Sequence, residues 1–256
     1  MKASLAILAW FTLFSIAVAI GLMWFFRAEP RSLNLPEPCK LASFETSEFI
    51  ICTIDPASYR VALHLRDQNG VPWRSLERFA KTMRPVFAMN AGMYHEDLSP
   101  VGLYAEEGRI IAPLRTGAGE GNFFMQPNGV FGISQSGDFF VETTERFAKS
   151  GREIWSATQS GPMLLIEGAI HPRFEPDGDS RHVRNGVGVD HSGRAVFAIS
   201  RHAVSFGRFA RLFRDKLDCE NALYFDGVVS AFADTDSIVE GGGYPSGPIV
   251  SVYSNP

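Results

Sequence analysis

Apolar residues along most of this chain come in short bursts, and each burst is closed by Gly, Asp, Asn or Pro. That rhythm predicts strands and tight turns rather than long helices. Residues 48–54 and 59–66 read as strands joined by a turn at Asp55-Pro56-Ala57-Ser58. The spacing of Leu76, Phe79, Ala80 and Met83 predicts a short amphipathic helix over 75–83, with Ser75 as its cap, leading through Pro85 into a strand at 86–89. Four pairs of apolar runs then fold around glycine turns: 103–114 at Glu107-Gly108, 130–141 at Ser136-Gly137-Asp138, 163–170 at Glu167-Gly168, and 187–199 at Ser192-Gly193. Phe206, Phe209, Ala210 and Phe213 predict a second helix over 205–217, ahead of an apolar strand at 222–226. Gly241-Gly242-Gly243 marks a flexible turn near the end. The expectation is an α+β fold on a large, mostly antiparallel or mixed sheet with two or three short helices.

The first 27 residues break this rhythm. Between Lys2 and Arg27 no residue is charged, a run long enough at about 1.5 Å per residue to cross a hydrocarbon layer of about 30 Å. It predicts an N-terminal transmembrane helix acting as a signal anchor. A signal peptide cut after Ala17-Val18-Ala19 is the alternative, although the apolar run continues past that point. Residues 28–38, with three prolines, form a linker, and 39–256 form one domain. A net charge of −4 without Lys/Arg runs excludes a nucleic-acid partner. The partners expected instead are a membrane, through the N-terminal helix, and a carbohydrate. Three cysteines leave Cys39–Cys52, Cys52–Cys219 and buried free thiols all open.

The candidate chemistry sits where apolar strands end in polar residues beside glycine. Ala222-Leu223-Tyr224-Phe225 delivers Asp226, Gly227 and Ser230, and an Asp in that position needs a cation, a metal or hydrogen-bond donors. Arg184 and Asn185 open Arg-Asn-Gly-Val-Gly, where a guanidinium fork suits a phosphate or carboxylate. Asn90 and Gly92, with Gln159, Ser160 and Gly161, bring neutral donors next to close-approach backbone. The loop Gly117-Ala118-Gly119-Glu120-Gly121-Asn122 is not a nucleotide-binding fingerprint. None of the six histidines forms an HxH or HExxH pair, and Ser160 is not in a GxSxG elbow.

In order and wording these segments resemble the phosphodiester glycosidase family over 49–230. The family's Asn-Gly-Gly-x-Phe is matched by Asn90-Ala91-Gly92-Met93-Tyr94, and its Ser-Gly-Pro by Ser160-Gly161-Pro162. Arg-Thr-Ala-x-Gly is matched by Arg184-Asn185-Gly186-Val187-Gly188, and Asp-Gly-Gly-Gly-Ser by Asp226-Gly227-Val228-Val229-Ser230. The wording is closer to a bacterial branch with Pro-Val-Gly-Leu-Tyr at 100–104, Gly-Asn-Phe-Phe at 121–124, Pro-Asn-Gly-Val-Phe at 127–131 and Ala-Thr-Gln-Ser-Gly-Pro-Met at 157–163. The resemblance implies a hydrolase that cleaves a sugar 1-phosphodiester at its glycosidic C–O bond, on the extracytoplasmic side of the membrane. Arg184, helped by Asn90 and Ser160, would bind the phosphate. Asp226 would act as base or nucleophile, or hold a divalent cation that neutralises the leaving group. Asn185 in place of Thr, and Val228-Val229 in place of two glycines, make the floor bulkier, so reaction class carries over better than substrate. Two alternatives use the same residues: a non-catalytic glycan-binding envelope protein of exopolysaccharide assembly, and a metal phosphodiesterase that cuts P–O.

Overall fold

The computed structural model describes residues 33–255. The anchor expected over 1–27 and the first part of the linker lie outside the described residues. No described helix is long and apolar enough to cross a membrane.

Every strand ladder is antiparallel, but the strands form three sheets instead of one large one. An open twisted sheet rarely exceeds about ten strands before it splits. The first sheet has seven strands in the order β1 (Cys39–Phe44), β2 (Ser47–Ile54), β13 (Ala195–Ser200), β12 (Asn185–Asp190), β14 (Cys219–Asp226), β10 (Met163–Ile166) and β11 (Ala169–Ile170). The second has five, β16 (Ile238–Gly241), β15 (Ala231–Asp234), β4 (Phe87–Asn90), β17 (Ile249–Ser254) and β3 (Tyr59–His64). The third runs β6 (Arg109–Ala112), β5 (Tyr104–Glu106), β9 (Ile154–Ser160), β7 (Gly129–Ser134) and β8 (Phe139–Thr143).

Three short α-helices are present among the described residues. The first, α1 (Leu76–Met83), starts at Ser75, whose hydroxyl accepts the Arg78 amide, and buries Leu76, Phe79 and Ala80. The second, α2 (Thr144–Ser150), is capped by Thr143 and ends on Gly151 in the left-handed region. The third, α3 (Phe206–Arg211), is capped by Ser205 and passes into a π-turn at Leu212–Lys216.

A cluster of phenylalanines locks the three sheets together. Phe87 on β4 lies 5.8 Å from Phe197 on β13 and 5.2 Å from Phe232 on β15. Phe131 on β7 meets Phe197 at 5.6 Å and Phe225 on β14 at 6.2 Å. All five are fully buried or nearly so, and edge-to-face packing adds to their burial. Because side chains alternate along a strand, Phe225 turns to this hub while Tyr224 and Asp226 face the other side. Cys39 and Cys52 are paired in register on β1 and β2 and form a disulfide, which leaves Cys219 as a buried free thiol.

Candidate active site

Three strand ends from two sheets converge on one point. Asn90 ends β4, Asn185 begins β12, and Asp226 ends β14 in register with Asn185. Both asparagines are buried, and they bond each other across the sheet boundary. Asn185 Nδ2 donates to Asn90 O at 3.0 Å and to Asn90 Oδ1 at 2.9 Å. Asn185 Oδ1 accepts the Asp226 amide and the Ser230 hydroxyl, both at 3.2 Å. Asn90 Oδ1 also accepts the Ala231 amide at 2.8 Å, and the Ser230 hydroxyl lies 2.8 Å from Asp226 O. A buried amide pair with this many partners fixes a unique geometry, since any shift would leave polar groups unsatisfied.

That clamp sets Asp226 on a turn whose amides turn back to the carboxylate. Oδ1 accepts Gly227 N at 2.6 Å and Val228 N at 3.0 Å. Burial nevertheless dominates and raises the Asp226 pKa; the turn amides and His182 pull the other way. Tyr94 stands close enough that the Asp226 charge, after burial, helps push its phenol up to about 12. Its hydroxyl donates to Pro245 O, which ties the Gly241–Ser246 segment beside the site, and three consecutive left-handed glycines, Gly241 to Gly243, shape that segment.

Arg184 lies below. Its side chain is fully buried, with the guanidinium 3.5 Å from the centre of the Phe206 ring and 5.3 Å from that of Tyr224. Nε donates to Val204 O at 2.9 Å, and Nη2 to Ser180 O and Oγ at 2.7 and 3.1 Å. Nη1 has no well-formed hydrogen bond, and among the described residues the guanidinium's partners are neutral, with Tyr224 as a further hydrogen-bonding neighbour. Burial lowers its pKa, while Tyr224 and Asp226 act to hold the proton on. A cavity of about 230 Å³ is lined by Ser180 and Phe206, both of which contact Arg184, and by Asn122 and Arg173.

The remaining expected site residues support this centre rather than line it. The Ser160 hydroxyl donates to Phe225 O at 2.9 Å and so braces the strand that carries Asp226. The Gln159 amide is spent on neighbouring structure, accepting Leu103 N and Arg115 N and donating to Arg115 O and to the Thr144 hydroxyl. Gly92 and Gly161 are close approaches: a Cβ at 92 would meet Gln159 O and Thr158 Oγ1, and one at 161 would stand 2.7 Å from Asn128 Cβ and Phe123 O. Gly227 has its own reason, because a Cβ there would collide with the Tyr224 hydroxyl.

Three further residues belong to the site: Tyr94, His182 and Tyr224, each acting on Asp226 or acted on by its charge. Tyr94 and Tyr224 stand in segments that the sequence marks, yet aromatic rings in apolar runs read as core. His182 carried no signal of its own. Among the described residues no group of three or more His, Cys, Asp or Glu could hold a metal ion. A divalent cation on Asp226 would therefore draw its other ligands from neutral oxygens, substrate and water. A wide cleft of about 900 Å³ opens elsewhere, beside Glu142, Arg146 and Glu220, and includes none of these residues.

Residues 83–239 match the family model described as phosphodiester glycosidase. The chain belongs to the phosphodiester glycosidase family. It is 37% identical over 204 residues to the uncharacterized Escherichia coli protein YigE, covering 78% of this chain and 80% of that one. The fold is similar to the catalytic domain of zebrafish N-acetylglucosamine-1-phosphodiester alpha-N-acetylglucosaminidase, auto-inhibited by its pro-peptide. That match has a TM-score of 0.61 at 14% identity and covers 85% of this chain and 82% of that one. A hypothetical protein from Synechocystis aligns with a TM-score of 0.56 at 12% identity, over 85% of this chain and 61% of that one. The matched family segment contains Asn90, Arg184, Asn185, Asp226 and Ser230, the whole of the converging site.

Proposed function

We propose that this protein hydrolyses a sugar 1-phosphodiester at the bond between the anomeric carbon and the phosphate oxygen, in the cell envelope. Arg184 is the observation that carries the reading. A fully buried guanidinium with one unpartnered nitrogen and no carboxylate partner is an expensive arrangement unless an anion completes it. A phosphodiester is such an anion, and the family supplies that substrate class.

The chemistry needs few titratable groups. The leaving group is a phosphate ester, a weak base, so its departure calls for charge neutralisation by Arg184 more than for a strong general acid. Asp226, with its proton affinity raised by burial, takes the proton of the attacking water, or attacks the anomeric carbon itself. The first route inverts the anomeric centre and the second retains it. Val228, 63% exposed beside Asp226, puts an apolar wall where the family pattern has glycine, so the sugar differs from one that needs a flat floor. Envelope location is supported by the Cys39–Cys52 disulfide, which persists in oxidising compartments, and by the apolar N-terminal run.

The test is incubation of the protein with a panel of sugar 1-phosphodiesters, with EDTA or magnesium, beside Asp226→Ala. The reading expects free sugar and a phosphomonoester from the wild type and none from the variant. Equal turnover by the variant removes Asp226 from the chemistry.

A further inference from the structure

The buried arginine does not stand alone beneath the site. Tyr224 is 1% exposed, its ring edge-on to Phe206 at 4.8 Å, and Phe206 carries the Arg184 guanidinium on its face. The ring is thereby fixed from one side by the same aromatic that fixes the arginine. Its hydroxyl reaches forward to the strand end and fills the volume that any side chain at position 227 would take. No described residue receives a hydrogen bond from that hydroxyl; Arg184 is its hydrogen-bonding neighbour on the donor side, and the Asp226 charge acts on it as well. An aromatic placed only for packing would need no oxygen there, and phenylalanine fills the same ring space at several other positions of this core.

We propose that the Tyr224 hydroxyl is a second phosphate-binding group of the site, donating a hydrogen bond to a non-bridging phosphate oxygen while Arg184 Nη1 takes the other side. This rests on the glycosidase reading and deepens it. The hydroxyl and the spare guanidinium N–H form a two-point cradle behind Asp226, which orients the phosphodiester so that its anomeric carbon faces the carboxylate. No proton is transferred by Tyr224. Burial holds its phenol well above the ordinary value, so it stays a neutral donor as charge develops on the departing phosphate. Gly227 becomes part of the same device, because only glycine leaves the hydroxyl its place.

Tyr224→Phe keeps the ring and removes only the oxygen. The readouts are kcat and KM on a turned-over sugar 1-phosphodiester, affinity for inorganic phosphate by calorimetry, and the melting temperature. A hydrogen bond to a charged group corresponds to roughly a tenfold to hundredfold change, so kcat/KM and phosphate affinity both fall by that factor while the melting temperature holds. Gly227→Ala, which displaces the hydroxyl while leaving Tyr224 in place, reproduces the loss. Phosphate affinity and turnover unchanged in Tyr224→Phe overturn the assignment and leave the glycosidase reading standing. A wild type that neither binds phosphate nor cleaves any phosphodiester overturns both.

Discussion

Asn185→Ala tests whether the asparagine clamp holds the site. The wild-type side chain donates two short bonds to Asn90 and accepts three more, from the Asp226 amide, Ser230 and, at 3.5 Å, Asn90 Nδ2. Not all of these partners are stranded by the substitution. Ser230 keeps Asp226 O, and Asn90 Oδ1 keeps the Ala231 amide. The Asp226 amide and Asn90 O lose the Asn185 side chain, each at roughly 1–3 kcal/mol if nothing replaces it, and Asn90 Nδ2 loses a long, weak bond that adds little. Asp226 is half-buried, so water can replace part of what its amide loses and that contribution falls at the low end. The expected loss is about 2–4 kcal/mol. That is below the roughly 5–15 kcal/mol typical of a folded domain, so the variant stays folded at room temperature. At about 2–4 °C per kcal/mol for a chain of this size, the melting temperature falls by roughly 5–15 °C. The assay is paired thermal and urea melts with kcat measured well below the transition, where a displaced Asp226 turn lowers kcat more than it raises KM. A melting temperature within about 2 °C of wild type would refute the clamp, because two buried asparagines bonded across sheets cannot then be setting the strand ends.

Burial raises the Asp226 pKa, so the acid limb of kcat/KM lies above the ordinary carboxylate value, with rate lost as pH falls through it; a limb at or below that value contradicts the burial. Between the two values the native state binds more protons than the unfolded chain, so ionised Asp226 weakens the fold, and Asp226→Asn melts no lower than wild type at neutral pH. His64 is held neutral by burial, with its pKa down at about 4. Stability therefore declines as pH drops from about 6.5 towards 4, where the unfolded histidine takes a proton that the native one resists, and His64→Gln flattens that decline in urea melts. The Cys39–Cys52 bridge closes a separation of 13 residues, so reduction lowers stability by about 3 kcal/mol without abolishing turnover at 25 °C. Cys219, its thiol pushed up to about 12 by burial and two aspartates, stays unreactive to thiol reagents in the folded protein.

Much of this was readable from residue order where the signal is local. The hairpins at 130–141 and 187–199 and the helix behind Ser75 follow from alternation, glycine turns and a capping hydroxyl, and they stand where expected. The division into three sheets was not readable, because it depends on which distant strands pair. The last strand, β17, inserts between β3 and β4, and nothing near Ile249 says so. The helix α2 did have a local signature, Thr143 before Glu145 and Lys149 at i,i+4 spacing with Gly151 after, inside a segment too short to stand out. At the site, Asp226 was legible because an unpaired carboxylate after four apolar residues needs an explanation. The asparagines were legible as polar strand ends, but their bond to each other crosses 95 positions of chain. Arg184 was marked as a phosphate ligand, while its burial under Phe206 depends on a helix packing onto the sheet, which no motif records.

The most direct measurement is the position of the bond that breaks. Hydrolysis of a sugar 1-phosphodiester in water enriched in oxygen-18, with the released phosphomonoester examined by mass spectrometry, separates the two bonds. The released phosphate is expected without the heavy label, because water attacks carbon and the bridging oxygen leaves with phosphorus. Label in the phosphate would mean attack at phosphorus, and would contradict the roles given to Asp226 and Arg184.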